Sequence, residues 1–151
     1  MTSYLIYASL RTSSCTDEEI ERILDAANRN NPGLDVTGVL LYTETKFIQY
    51  LEGPKDQILG LFERIKTDPR HRNPVLISFS STKQRLFPTW AMVGRCATKK
   101  LDFKTLLSPQ DERLYERILQ GLEPDTDYRV LRLLQKLFSS KEEVLEAKMP
   151  R

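Results

Sequence analysis

Within Phe47-Ile48-Gln49-Tyr50-Leu51 a single amide interrupts an apolar run. Side chains alternate along an extended strand, so Gln49 shares a face with Phe47 and Leu51. An unpaired buried amide costs about 1 to 3 kcal/mol, and Gln49 must therefore find partners if that face is covered. By itself the residue reads first as a structural glutamine bonded to backbone or water. Tyr7, on the same face of an earlier strand as Leu5 and Ser9, also wants a partner for its hydroxyl. A core tyrosine is the plain reading; a redox or hydrogen-bonding tyrosine is the sharper one. Asn30 and Asn31 fit a helix end as capping residues. Arg70-His71-Arg72, with Arg64 and Lys66 upstream, is a local basic cluster, solvated by default and able to meet phosphates. Trp90 and Met92 have equal strand parity, and a lone tryptophan is more often core or interface than functional.

Other chemistries have little support. The chain has one histidine, too few for a multi-histidine metal site, and it has neither a P-loop nor a G-x-S-x-G elbow. Nothing local brings Cys15 and His71 together as nucleophile and base. Cys15 and Cys96 are too few and too far apart for a disulfide framework or a zinc site, and read as cytosolic thiols. No catalytic group and no metal are expected.

The elements that must position these residues follow from periodicity. Tyr4 to Ser9 is aromatic and β-branched enough for a strand. Thr16-Asp17-Glu18-Glu19 matches a capping box, and Ile20, Ile23, Leu24 and Ala27 continue a helical stripe that Asn30-Asn31-Pro32-Gly33 should stop. Val36 to Thr43 and Phe47 to Gly53 read as a hairpin. Pro54 opens a second helix with Ile58, Leu61, Phe62 and Ile65 on its apolar side, and Asp68-Pro69 ends it. Val75 to Ser81 and Ala91 to Ala97 complete five strands. The order predicts an α+β sandwich with both helices on one face of the sheet. Two more helices, from Ser108 to about Gly121 and from about Asp127 to Phe138, are expected to cap the other face or make a subunit contact.

The 151 residues suit one compact domain, and 23 Lys+Arg against 21 Asp+Glu leave a net charge of +2, without the basic face of a dedicated nucleic-acid binder. Met1 to Leu10 lacks the marks of a signal peptide, and no 18-residue apolar run is long enough to span a bilayer. A cytoplasmic chain with no membrane contact is therefore expected.

Together these segments resemble the BLUF family, the blue-light sensors that use flavin. Leu5-Ile6-Tyr7-Ala8-Ser9 looks like its first strand with the photoactive tyrosine, and Asn30-Asn31-Pro32 followed by Val36-Thr37-Gly38-Val39-Leu40 like its flavin-contacting helix end. Phe47 to Gly53 is similar to the segment bearing the family glutamine. Arg70-His71 matches the basic position after the second helix, and Trp90-Ala91-Met92 the tryptophan and methionine of the fifth strand.

The resemblance covers about residues 1–98 as the photosensory domain and implies a ferredoxin-like sandwich with flavin between its first two helices. Residues 99–151 then form a two-helix extension packed on the same domain. It further implies noncovalent FAD, with FMN or riboflavin as possible substitutes, held at the ring by Asn31 and Gln49 and touched by Asn30. Arg64, Arg70 and His71 would serve the ribityl and phosphate end. Tyr7 would supply an electron and proton on illumination, Gln49 would rotate or tautomerise, and Trp90 and Met92 would carry the change onward. The implied protein is a non-enzymatic photoreceptor that signals to an unidentified partner protein as a homo-oligomer. The competing expectations are a redox- or temperature-sensing flavin module and, more remotely, a small flavin enzyme.

Overall fold

Every strand near the middle of the sheet is apolar on both faces, which requires cover on both sides. The computed structural model describes residues 2–96 together with 109, 110, 113, 114, 117 and 132–134. The elements are β1 (Thr2–Arg11), α1 (Asp17–Leu34), β2 (Thr37–Tyr42), β3 (Lys46–Gly53), α2 (Lys55–Thr67), β4 (His71–Thr82) and β5 (Val93–Cys96). The sheet order is β4-β1-β3-β2-β5, with β2 and β5 parallel and the other neighbours antiparallel. This is the five-stranded mixed sheet of the expected ferredoxin-like α+β fold.

On one face Leu5, Phe47, Leu40 and Leu51 pack with Ile20 and Leu24 of α1 and with Ile58 and Phe62 of α2. On the other, Tyr4, Ile6, Val39, Ile48 and Tyr50 pack with Phe87, Leu133 and Leu134. Leu133 and Leu134 lie in a helical stretch, so the far face is covered in part by the C-terminal region, as expected. Most of the two helices expected at 108–121 and 127–138 falls outside the described residues.

Three boundaries depart from the sequence reading. Thr16 caps α1 by accepting the Glu19 amide at 3.3 Å, but the Glu19 carboxylate turns to Arg22 and Arg70 rather than back to the cap. At its other end α1 does not stop at Asn30 to Gly33: Pro32 lies inside the last turn and the helix runs to Leu34. Asp35, at φ 57 and ψ 40, takes the left-handed position, and the Val36 amide bonds back to the Asn31 carbonyl at 3.0 Å. That is the geometry of a Schellman motif, built on an aspartate where glycine is usual, while Gly33 of the expected stop lies inside the helix.

β4 begins at His71, four residues before the expected Val75, because β1 extends to Arg11 and pairs with His71. β5 is only Val93–Cys96, so Trp90 and Met92 precede the strand instead of lying within it. Their side chains consequently join opposite faces. Met92 is fully buried in the helix-side core, and Trp90 packs against the far-side core and stacks on Phe87 at 5.0 Å. The expectation of equal parity fails because the backbone around Ala91 is bent, not extended.

Two predictions follow from close packing in this sheet. A Cβ on Gly38 would lie 2.0 Å from the Tyr50 carbonyl oxygen, so Gly38→Ala should cost about 3 kcal/mol of stability by denaturant unfolding. His71 sits against Phe47 at 4.5 Å with Nδ1 2.9 Å from Ser9 Oγ, and burial pushes its pKa from 6.5 down to about 4. The unfolded chain therefore binds the extra proton first as pH falls. Unfolding free energy should drop by up to about 1.4 kcal/mol per pH unit between those two values, and His71→Asn should flatten that slope.

Candidate functional site

One row of residues crosses the sheet on its helix-covered face. Tyr7 of β1 is directly opposite Gln49 of β3, Gln49 is opposite Leu40 of β2, and Leu40 is opposite Gly94 of β5. Because β3 is the central strand, Gln49 is fixed by ladders on both sides. Facing pairs in a sheet bring their side chains close. The Tyr7 hydroxyl donates to Gln49 Oε1 at 2.5 Å, which gives both groups the partners that burial demands.

Tyr7 is fully buried, and that burial, with the Asp68 carboxylate adding to it, pushes the phenol well above its ordinary pKa. The hydroxyl keeps its proton throughout the accessible pH range. Asp68 remains a carboxylate because Arg70 overrides its own partial burial: side-chain and backbone hydrogen bonds and the guanidinium charge hold its pKa below the usual range.

Gln49 Nε2 donates to Met92 Sδ at 3.4 Å. A thioether is a weak acceptor, so the amide is strongly held at its oxygen and weakly at its nitrogen. The backbone that presents Met92 is itself held by α1. Asn31 Nδ2 donates to the Ala91 carbonyl at 3.2 Å, and Asn28 Nδ2 to the Met92 carbonyl at 3.1 Å. Asn28 has no counterpart in the sequence reading. Its signal was its spacing of three from Asn31, which places both amides toward one side of the helix. Among the described residues, Asn28 Oδ1 is a buried side-chain acceptor without a partner.

Above this row, between α1 and α2, lies a cavity of about 760 Å³, within the usual range for small-molecule sites. Ile23, Ala27 and Leu34 of α1 face Leu61 and Ile65 of α2 across it, while Leu40, Gln49 and Leu51 form its floor. Asn30, Asn31, Arg64, Arg70 and His71 all reach its lining, as does Arg29, which the sequence reading did not single out. Arg64, Arg29 and Asn30 are exposed, whereas Asn31 is buried. Arg70 is already engaged, with two of its nitrogens on Asp68 and a third reaching Glu19 at 3.5 Å. Tyr7 and Met92 stand behind Gln49 and do not line the cavity; Trp90 is on the other side of the sheet.

The lining suits a flat heteroaromatic ligand with an anionic tail. Two apolar helix walls can sandwich a ring, the amides of Asn31 and Gln49 offer both donors and acceptors to a mixed polar edge, and the arginines lie where a phosphate could meet them. A flavin nucleotide has those parts.

Comparison with known proteins agrees with the geometry. Residues 2–93 match the family model described as BLUF, sensors of blue-light using FAD. A photoactivated adenylate cyclase subunit beta of Euglena longa is 36% identical over 91 residues, 60% of this chain and 11% of that protein. The blue light- and temperature-regulated antirepressor BluF of Escherichia coli (strain K12) is 41% identical over 75 residues, 50% of this chain and 19% of that protein. The chain thus matches only a small part of these curated relatives. Among solved structures, the dark state of the BLUF protein BlrB superposes with a TM-score of 0.69 at 28% identity, covering 90% of this chain and 93% of that one. A bacterial light-regulated adenylyl cyclase gives 0.66 at 31% identity, over 83% of this chain and 42% of that one. With most of its length matched by the family model and its fold shared with solved family structures, the chain belongs to the BLUF family of flavin-using blue-light sensors.

Proposed function

We propose that this chain is a photoreceptor unit that binds FAD noncovalently between α1 and α2 and uses the Tyr7–Gln49 pair as its switch. The observation that carries the reading is the buried hydrogen bond from Tyr7 to Gln49 at the floor of a flavin-sized cavity. Asn31 and Gln49 hold the polar edge of the ring, and Asn30 touches it. Arg64 and His71 serve the ribityl and phosphate end. Arg70 contributes charge there while remaining bound to Asp68. FMN or riboflavin keeps the ring and would occupy the same site with fewer tail contacts.

A bound flavin supplies a strong oxidant on absorbing blue light and is restored in the dark. Tyr7 is suited to answer it because the phenol is protonated and buried, so an electron and a proton can leave Oη together. Gln49 receives that proton at Oε1, the atom already bonded to the hydroxyl. On return of the electron and proton the amide is left rotated or tautomerised. Rotation exchanges donor and acceptor, turning Nε2 toward Tyr7 and Oε1 toward the Met92 side. It gives up the weak contact of Nε2 with sulfur and the Tyr7 hydroxyl's bond to Oε1, and a new bond between Oη and Nε2 offsets part of that loss. A rearranged hydrogen bond is worth about 1 kcal/mol net, enough to bias a poised equilibrium and too little to drive a large motion alone.

In this reading Met92 receives the change and Trp90 passes it to the far face; the contact of Met92 with Gln49 and the packing of Trp90 on the core that includes Leu133 and Leu134 support it. We take residues 1–98 as the sensor and 99–151 as a helical extension that delivers output to a separate protein, in a homo-oligomer. The relatives support output through other proteins or domains, since their names describe cyclase subunits and an antirepressor. The family model describes sensors, which supports a sensing role for this chain over a catalytic one.

The test is an absorption spectrum of the purified, flavin-loaded chain before and after blue light. The reading predicts flavin bands with a small red shift that reverses in the dark; a chain that binds no flavin contradicts it. Tyr7→Phe and Gln49→Leu should each abolish the shift while retaining bound flavin, and a normal photocycle in either variant removes that residue from the switch. Temperature cycling in the dark separates light sensing from temperature sensing, which should leave the spectrum unshifted.

A further inference from the structure

Glu52 is completely buried, on the far face of β3, three residues beyond Gln49. A carboxyl group in a core is tolerated only when its oxygens are fully used. Oε1 accepts from the Leu86 amide at 2.9 Å and the Tyr50 hydroxyl at 2.8 Å; Oε2 accepts from the Phe87 amide at 2.7 Å and the Thr37 hydroxyl at 3.3 Å. Leu86 and Phe87 belong to no strand, and Glu52 gives their amides the partners that a neighbouring strand would otherwise provide.

Only four residues separate Phe87 from Met92, and the path is held at several points. Trp90 stacks on Phe87, and its carbonyl accepts the Gly38 amide at 2.9 Å. The Ala91 and Met92 carbonyls accept from Asn31 and Asn28. The segment thus passes from the far face to the helix face, anchored by a carboxyl group at one end and by two helix amides at the other. The Trp90 amide also bonds back to the Phe87 carbonyl at 3.4 Å, so a closed turn joins the two ends and displacement of one is passed to the other.

We propose that Glu52 is a positioning residue for the switch: by holding the Leu86 and Phe87 amides on the far face, it sets where the Met92 sulfur meets Gln49 on the helix face. The inference rests on the photosensor reading of the site. Glu52 touches neither the cavity nor Tyr7, so it acts through the 86–92 segment. An amide at position 52 would offer one acceptor where two are used and would point N–H groups at donors, loosening the far-face anchor without emptying the core.

The experiment measures dark recovery of the blue-light absorption shift in the FAD-loaded full chain, comparing wild type, Glu52→Gln, Met92→Ala and the double variant. Glu52→Gln should retain the flavin bands and the red shift but recover about threefold faster or more, as expected for weakening part of a hydrogen-bonded anchor. That acceleration should vanish in the Met92→Ala background. Wild-type recovery in Glu52→Gln, or the same acceleration with and without Met92, overturns the proposal and leaves Glu52 as a general stabiliser. If Glu52→Gln does not fold, Tyr50→Phe removes one donor and keeps the ring; a smaller acceleration that also needs Met92 supports the proposal, and unchanged recovery overturns it. Absence of any reversible shift in wild type defeats the photosensor reading and the inference with it. A normal wild-type cycle with unaffected variants defeats the inference alone.

Discussion

The hydrogen bond between Tyr7 and Gln49 constrains the rest of this protein. Both groups are polar, and both are buried on the sheet face that the helices cover. Either one alone would carry a desolvation cost of about 1 to 3 kcal/mol, and together they remove most of it. For the pair to form, β1 and β3 must be neighbours in antiparallel register with Tyr7 opposite Gln49, which is the arrangement of the central strand and one of its two neighbours. The chain order that produces this register also places α1 and α2 over the same face, so the cavity opens directly above Gln49.

The amide is held asymmetrically, with a phenol on its oxygen and a sulfur on its nitrogen. In the proposed switch, that asymmetry lets a packed core contain a group with two nearby states. The surroundings are far stiffer: ladders on both sides of β3, apolar packing beneath, and the Schellman end of α1 leading into β2. In the proposed switch, change is therefore directed to a neighbour of Gln49 that lies outside the strands, the segment carrying Met92. That segment also reaches the opposite face through Trp90 and Phe87, where the C-terminal residues pack.

Periodicity was enough to read the five strands, the first two helices and which residues share a face with Tyr7 and with Gln49, because alternation follows from backbone geometry alone; which face the helices cover it left open. It failed where the backbone leaves regular geometry. Asp35 adopts a left-handed conformation that nothing in its local sequence demands, and Pro32 fits inside a helical turn that a rule about proline would have ended. Trp90 and Met92 lost their common parity at a bend, which put Met92 in the helix-side core and Trp90 against the far-side core. Asn28 and Glu52 escaped notice for a different reason: their importance lies in hydrogen bonds to residues 64 and 34 positions away, contacts that only the folded chain creates. Charge was equally indirect, since the basic cluster near Arg70 proves to be partly spent on Asp68 and Glu19.

The most direct measurement is the side-chain amide resonance of Gln49 in nitrogen-labelled, flavin-loaded protein, recorded in the dark, under blue light and after return to darkness. With Gln49 as the switch, that resonance moves on illumination and returns at the rate at which the absorption shift decays. A Gln49 resonance that stays in place while the flavin absorption shifts and recovers would contradict the account.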